Sequence, residues 1–179
     1  EQYLAGPQPP PPSAWRRLLE PREQPRLRRL RGRLSRKLVQ QLHRAVEAFD
    51  RALTAAPDLA LAHAGKATVL MREGKGAHAQ EALAAAKTMA ARVSAREAGH
   101  IRFFDLAFSG RTDAAIDALY AHLADWPRDA LMLATATNPN GLIGSSGRVG
   151  QKQQAAQLLD RLAPHYGDDY WFLSYHAIA

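Results

Sequence analysis

A spacing of small and bulky apolar residues recurs along this chain, and it constrains the fold more than any other feature. One copy reads Ala45-x3-Phe49-x2-Ala52-x4-Pro57. Thirty-four residues after Ala45 comes Ala79-x3-Leu83-x2-Ala86, and thirty-six after that comes Ala115-x3-Leu119, with Pro127 at the offset that Pro57 has from Ala45. Gly74 and Gly110 each stand five residues before their alanine. Self-similarity at this period is the mark of stacked helical hairpins. Small residues stand where two helix backbones approach closely, and Phe49, Leu83 or Leu119 fills the space one turn later on the same face. Each hairpin carries two apolar faces and cannot cover both alone, so stability comes from neighbours.

The other punctuation agrees. Apolar spacing is helical nearly everywhere from about residue 44. Breaks fall at Pro57-Asp58, at Glu73 to Gly76, at Ser109-Gly110-Arg111, at Trp126-Pro127, across 138–150, and at Pro164 to Gly167. Gly ends helices because it enters the left-handed region without steric penalty, and Pro or Asp starts the next. No alternating apolar run bounded by turn residues predicts a strand. The expected fold is all-α, an α-solenoid of about four antiparallel hairpins that stops partway through a further one.

The second-helix pattern resembles the tetratricopeptide repeat. Its Ala, large apolar, Ala, Pro signature matches fully at Ala45, Phe49, Ala52 and Pro57. It matches at Ala79, Leu83 and Ala86 with Ala91 for Pro, and at Ala115, Leu119 and Pro127 with His122 for the second Ala. The first-helix signature is replaced by His63, Lys66, Ala67 and Leu70. The wording of AVEAFDRALTAAPDLALAHAGKATVLMREGKG, of FDLAFSGRTDAAIDALYAHLADWPRDALMLATATNPNGLIGSSGR and of LAPHYGDDYWFLSYHA resembles the tetratricopeptide repeat protein 38 family over residues 44–179. The resemblance implies a helical repeat protein with more repeats beyond Ala179, and it assigns no catalytic residue.

Charge divides the chain. Its net +7 is not spread evenly: residues 1–44 hold 11 Lys and Arg against 3 Asp and Glu, and the remainder 13 against 14. Seven of the 11 prolines also lie in the first part. Such a shift marks a boundary. The organisation expected is a Pro-rich mobile tail over 1–25, a basic amphipathic helical extension over 26–44, and the repeat domain over 45–179. Leu27, Leu30, Leu34, Leu38, Leu42, Val46 and Phe49 follow at steps of three and four, an apolar stripe edged by arginine that Gly32 weakens. A helix of that kind docks on an acidic partner, an anionic membrane or nucleic acid phosphates. No aromatic interleaving supports sequence-specific nucleic acid reading.

Several chemistries lack their residues. There is no cysteine, so neither disulfides nor thiolate metal sites arise. No apolar run approaches the roughly 18 residues that span a bilayer; the expected location is cytoplasmic. The seven histidines, at 43, 63, 78, 100, 122, 165 and 176, show no HExxH pair and no ligand cluster at metal spacing. They read as scattered, with His100 and His122 notable for standing where the repeat normally holds something else. The nucleophile elbow G-x-S-x-G is missing, and no enzyme, cofactor or metal is expected.

Two features remain as candidates for function. His100, Phe104 and Phe108 fall four apart, and in tetratricopeptide arrays the first helix of each hairpin lines a concave groove. With Arg72, and with Asn138 and Arg148 from the glycine-rich stretch, they are the residues predicted to bind a protein or peptide partner. The competing reading for Phe103 and Phe104 is plain hairpin core. The Lys and Asn that clamp a C-terminal carboxylate in some of these repeats are replaced by Ala64 and Thr68. The second feature is the stretch 138–150 itself. No Gly-Lys-Ser/Thr follows a strand there, so it is no P-loop. It reads as an ordered inter-helix loop; the alternative is an anion or small-ligand site, or an enzyme, with Ser145, Ser146 and Arg148 at a helix N-terminus. A third reading is electrostatic docking through residues 16–37.

Overall fold

The computed structural model describes the backbone of residues 25–138 and 141–177, and side chains from residue 35 onward within those ranges. The expected mobile tail and most of the arginine-rich run therefore lie outside the described residues. Among the described residues there are eight α-helices and no strand. They are α1 (Pro25–Ala55), α2 (Ala60–Arg72), α3 (Gly76–Met89), α4 (Ala95–Phe108), α5 (Thr112–Asp125), α6 (Ala130–Thr137), α7 (Gln151–Tyr166) and α8 (Tyr170–His176), with a short 3-10 turn at Ala90–Arg92.

The chain divides into two compact units, residues 1–41 and 42–179. The boundary falls inside a helix: α1 runs unbroken through Gly32 and past Ala45. In the first unit the helical residues Leu38 and Val39 are about half exposed.

In the second unit, helices pack against their neighbours in sequence. α2 packs on α3, α4 on α5, α5 on α6, α6 on α7 and α7 on α8, and α2 also reaches α4. The turns that close the first two pairs are built alike. Lys75 N donates to Leu70 O and Gly74 N to Met71 O; thirty-six residues on, Arg111 N donates to Leu106 O and Gly110 N to Ala107 O. This paired bonding satisfies the last carbonyls of a helix and needs a left-handed residue. Gly74 and Gly110 supply it, with φ of 77° and 71°.

The core follows from the repeat spacing. Ala60, Ala64 and Ala67 of α2 meet Ala79, Ala82 and Ala86 of α3 in one buried cluster, which continues through Leu83, Phe103, Ile116, Leu119 and Met132. Burying a Leu, Ile or Phe side chain fully stabilises by about 1.5–3 kcal/mol. The end of α1 joins this cluster through Val46. Phe49 lies on the bare backbone of Gly65, where a Cβ would come within 2.5 Å of its ring.

Residues 141–150 fold back on the end of α6. Leu142 N and Ile143 N donate to Thr135 O and Ala136 O, and Ile143 is fully buried. Gly141 has no room for a Cβ, which would stand 2.6 Å from Thr135 O. α7 continues past Pro164 and ends at Gly167, so the stop there is the glycine rather than the proline.

Candidate functional site

The first candidate is a groove of about 720 Å³ in the second unit. One wall is the end of α2, with Thr68, Met71 and Arg72; the floor is α4, with Phe104 and Phe108; the far wall is α6 and its loop, with Leu131, Asn138 and Ser145. Tyr175 of α8 also reaches it. The aromatic spacing on α4 produces this directly, since residues four apart share a helix face. Phe104 is almost wholly buried and packs its ring 5.7 Å from that of Phe108, which is half-buried. Phe103 is fully buried, and both it and Phe104 belong to the core. Leu131 on the opposite wall stays about half exposed.

Among the described residues no acidic side chain lines this groove. Arg72 is exposed, and among the described residues it has no ion pair. The groove thus offers apolar and aromatic surface with a single unpaired cation at one rim. Thr68, Thr135 and Ser145 each donate a hydroxyl to a backbone carbonyl four residues earlier, leaving their oxygens as acceptors.

Of the six residues singled out from the sequence, Arg72, Phe104, Phe108 and Asn138 come together here. His100 and Arg148 do not. Arg148 pairs with Asp113 of α5, its Nε 3.0 Å from Oδ1. In the glycine-rich loop Ser145 Oγ donates to Gly141 O and Ser146 Oγ to Ile143 O, so both hydroxyl protons are committed to the loop's own backbone.

His100 takes part in a second cluster, which the sequence did not reveal. Asp129, fully buried, is the N-cap of α6: its Oδ1 accepts from Met132 N at 3.2 Å. Its other oxygen, Oδ2, faces three donors. Arg96 Nε and His100 Nε2, both from α4, stand at 2.7 Å, and His122 Nε2 from α5 stands at 3.0 Å. Both imidazoles are buried. Their rings lie 5.0 Å apart, and Trp126 covers His122 at 4.8 Å. His122 fits only because position 99 is glycine; a Cβ there would stand 2.4 Å from its Nδ1.

The electrostatics of this cluster follow from a contest. Burial pushes the Asp129 carboxyl up, because an isolated charge is costly away from water. Hydrogen bonds from His100, Arg96 and His122 outweigh it and hold the group far below the usual carboxylate range. Asp129 is therefore a fixed anion that ties α4, α5 and α6 together. The histidines read as scattered are, in this pair, brought onto one carboxylate across 22 residues of sequence. The available signal was His122, which occupies a repeat position expected to hold alanine.

No family model, curated protein or solved structure matches the chain.

Proposed function

We propose that residues 45–179 form a tetratricopeptide-like array of helical hairpins that binds an extended segment of a protein partner in the groove between α2, α4 and α6. The observation that carries this is convergence: Arg72, Phe104 and Phe108, chosen from the repeat register, and Asn138, chosen from the glycine-rich stretch, line one groove, with half-buried aromatic surface and an arginine that has no ion pair among the described residues. Support for the array comes from packing in sequence order and from the two matching turns at Gly74 and Gly110.

The chemistry of the groove defines its ligand. Apolar and aromatic anchors fill the space over Phe104, Phe108 and Leu131, where desolvated aromatic contacts give most binding energy. Arg72 faces a carboxylate on the ligand, a pairing that guanidinium geometry favours. The protein acts as a non-enzymatic interaction scaffold. The alternative of an anion site at 138–150 is weakened by the pairing of Arg148 with Asp113 and by the commitment of both serine protons.

The test is selection of binders from a random peptide library displayed on phage, using the intact chain, followed by affinity measurement on variants. Arg72→Ala and Phe108→Ala each weaken the selected peptides about tenfold or more, and selected sequences carry an aromatic residue near Asp or Glu. Arg148→Ala leaves affinity unchanged. Peptides that bind all four proteins equally would remove the groove from consideration.

A further inference from the structure

The Asp129 junction holds an imbalance that its role as a helix cap does not explain. A carboxylate oxygen has about two lone-pair sites. Oδ2 of Asp129 faces three N–H donors, two of them from imidazoles. On each of those rings the outer nitrogen, Nδ1, is buried and has no hydrogen-bond partner among the described residues. Two nearly inaccessible histidines thus point their inner nitrogens at one oxygen, which holds each ring proton on Nε2, while the outer nitrogens are left without a partner among the described residues.

We propose that His100 Nε2, His122 Nε2 and Asp129 Oδ2 form a three-ligand site for a divalent transition-metal ion, with zinc as the natural occupant and water as fourth ligand. The three residues offer one ligand atom each within 4.8 Å of one another. Two imidazole nitrogens and one carboxylate oxygen suit zinc and its borderline neighbours, whereas magnesium and calcium favour all-oxygen sets. A tetrahedral site with bonds near 2.0–2.1 Å sets its ligand atoms about 3.3 Å apart. The present separations of 2.7 and 3.0 Å would open by a few tenths of an ångström.

One group must yield. Arg96 shares Oδ2 with both histidines, and its side chain is 53% exposed, so it has water to swing into. Metal and guanidinium compete for the same oxygen, while Oδ1 keeps its cap on α6. Binding shifts each ring proton to Nδ1, where no acceptor waits. Such acceptors raise metal affinity about 10–100-fold, so this site falls short of one with both in place. The buried ligands leave little room for substrate. The ion acts as a clasp on α4, α5 and α6, the last of which forms a wall of the groove.

The experiment is a cobalt(II) titration of the intact untagged chain, read by the visible absorption of four-coordinate cobalt and reversed by zinc. The wild type is expected to bind one equivalent saturably, and zinc to raise its thermal midpoint. The double variant His100→Gln/His122→Gln loses about 100-fold or more in affinity and shows no zinc-dependent midpoint. Arg96→Gln, which alters a half-exposed residue and spares all three ligands, binds cobalt more tightly than wild type because the competing cation is gone. The absence of a saturable band in the wild type overturns the proposal. So does a band that survives in the double variant, which would place the ion on other histidines, and so does an Arg96→Gln protein that binds no tighter. If the double variant does not fold, wild-type stoichiometry and the Arg96→Gln comparison decide.

Discussion

The α2–α3 pair and the α4–α5–α6 junction solve the same packing problem by different means. Between α2 and α3 the contact is alanine on alanine, with Ala60, Ala64 and Ala67 against Ala79, Ala82 and Ala86. At the other junction three helices meet on a charge, with Asp129 receiving Arg96, His100 and His122. The first interface depends on shape alone and is tolerant of sequence, provided the side chains stay small. The second depends on named partners, each of which leaves a buried group exposed to loss if removed. Among the described residues these two interfaces thus differ in chemistry, and the charged one holds α6, a wall of the groove.

The largest effect is expected where that contrast is removed. Asp129→Asn takes away the anion and leaves Arg96 and two imidazoles around a neutral amide. Leaving a buried polar group without its hydrogen-bond partner costs about 1–3 kcal/mol, and here both buried imidazoles lose the carboxylate, a loss measurable by urea denaturation. Acid gives the same information in the native chain. The folded Asp129 carboxyl keeps its charge to lower pH than the unfolded one, whose ordinary value is about 4. Its contribution to stability is therefore complete above that value and drains away as pH falls below it. Asp129→Asn should lack this part of the acid-dependent loss.

The apolar joint answers to volume instead. Ala79→Leu forces bulk between α2 and α3, where Ala79 is fully buried, and overpacking of this kind costs about 1–3 kcal/mol. No pH dependence should accompany it.

Two glycines compare the regions more finely. A methyl at Gly99 meets His122, and a methyl at Gly65 meets the tip of the Phe49 ring. His122 is held by Asp129 and covered by Trp126, whereas Phe49 is half-buried and meets the methyl with the far end of its ring. Gly99→Ala should destabilise by about 1–3 kcal/mol. Gly65→Ala should cost less than about 1 kcal/mol: both substitutions gain the same helix propensity, but the methyl at Gly65 meets only the tip of a side chain that nothing hydrogen-bonds. Equal effects, read from thermal melts, would erase the distinction between a pinned and an unpinned neighbour.

The smallest effect belongs to a feature outside both joints. Ser94 caps α4, accepting from Glu97 N while Glu97 reaches back to Ser94 N. Ser94→Ala should cost about 1 kcal/mol, with α4 fraying first in circular dichroism.

What the sequence disclosed follows the same division. Helices, turns and the alanine interface were legible because shape repeats at a period: Gly74 and Gly110 mark their turns, and Ala79 and Ala115 sit where helices touch. Phe104 and Phe108 were legible as sharing one helix face because spacing fixes it, while the burial of Phe104 in the core agrees with the competing reading of that residue. The charged joint was hidden because its members share no local pattern. Asp129 reads as an ordinary helix cap, and nothing in the string links it to His100, 29 residues earlier. His100 was assigned to the groove from its register with Phe104, but the carboxylate at the start of α6 draws it into the interior. Arg148 was assigned there by its loop, and Asp113 holds it instead. The change of charge near residue 44 leaves no mark on the helix, because the apolar stripe from Leu27 to Phe49 that shapes α1 runs straight through it.

Native-state hydrogen exchange, compared between wild type and Asp129→Asn, examines the division of labour most directly. If a buried charge secures the groove wall while small apolar contacts secure the opening hairpin, the variant loses amide protection at Met132, Leu133 and Ala136, and α2 with α3 stays protected. Loss spread evenly over the helices, or concentrated in α2 and α3, would contradict it.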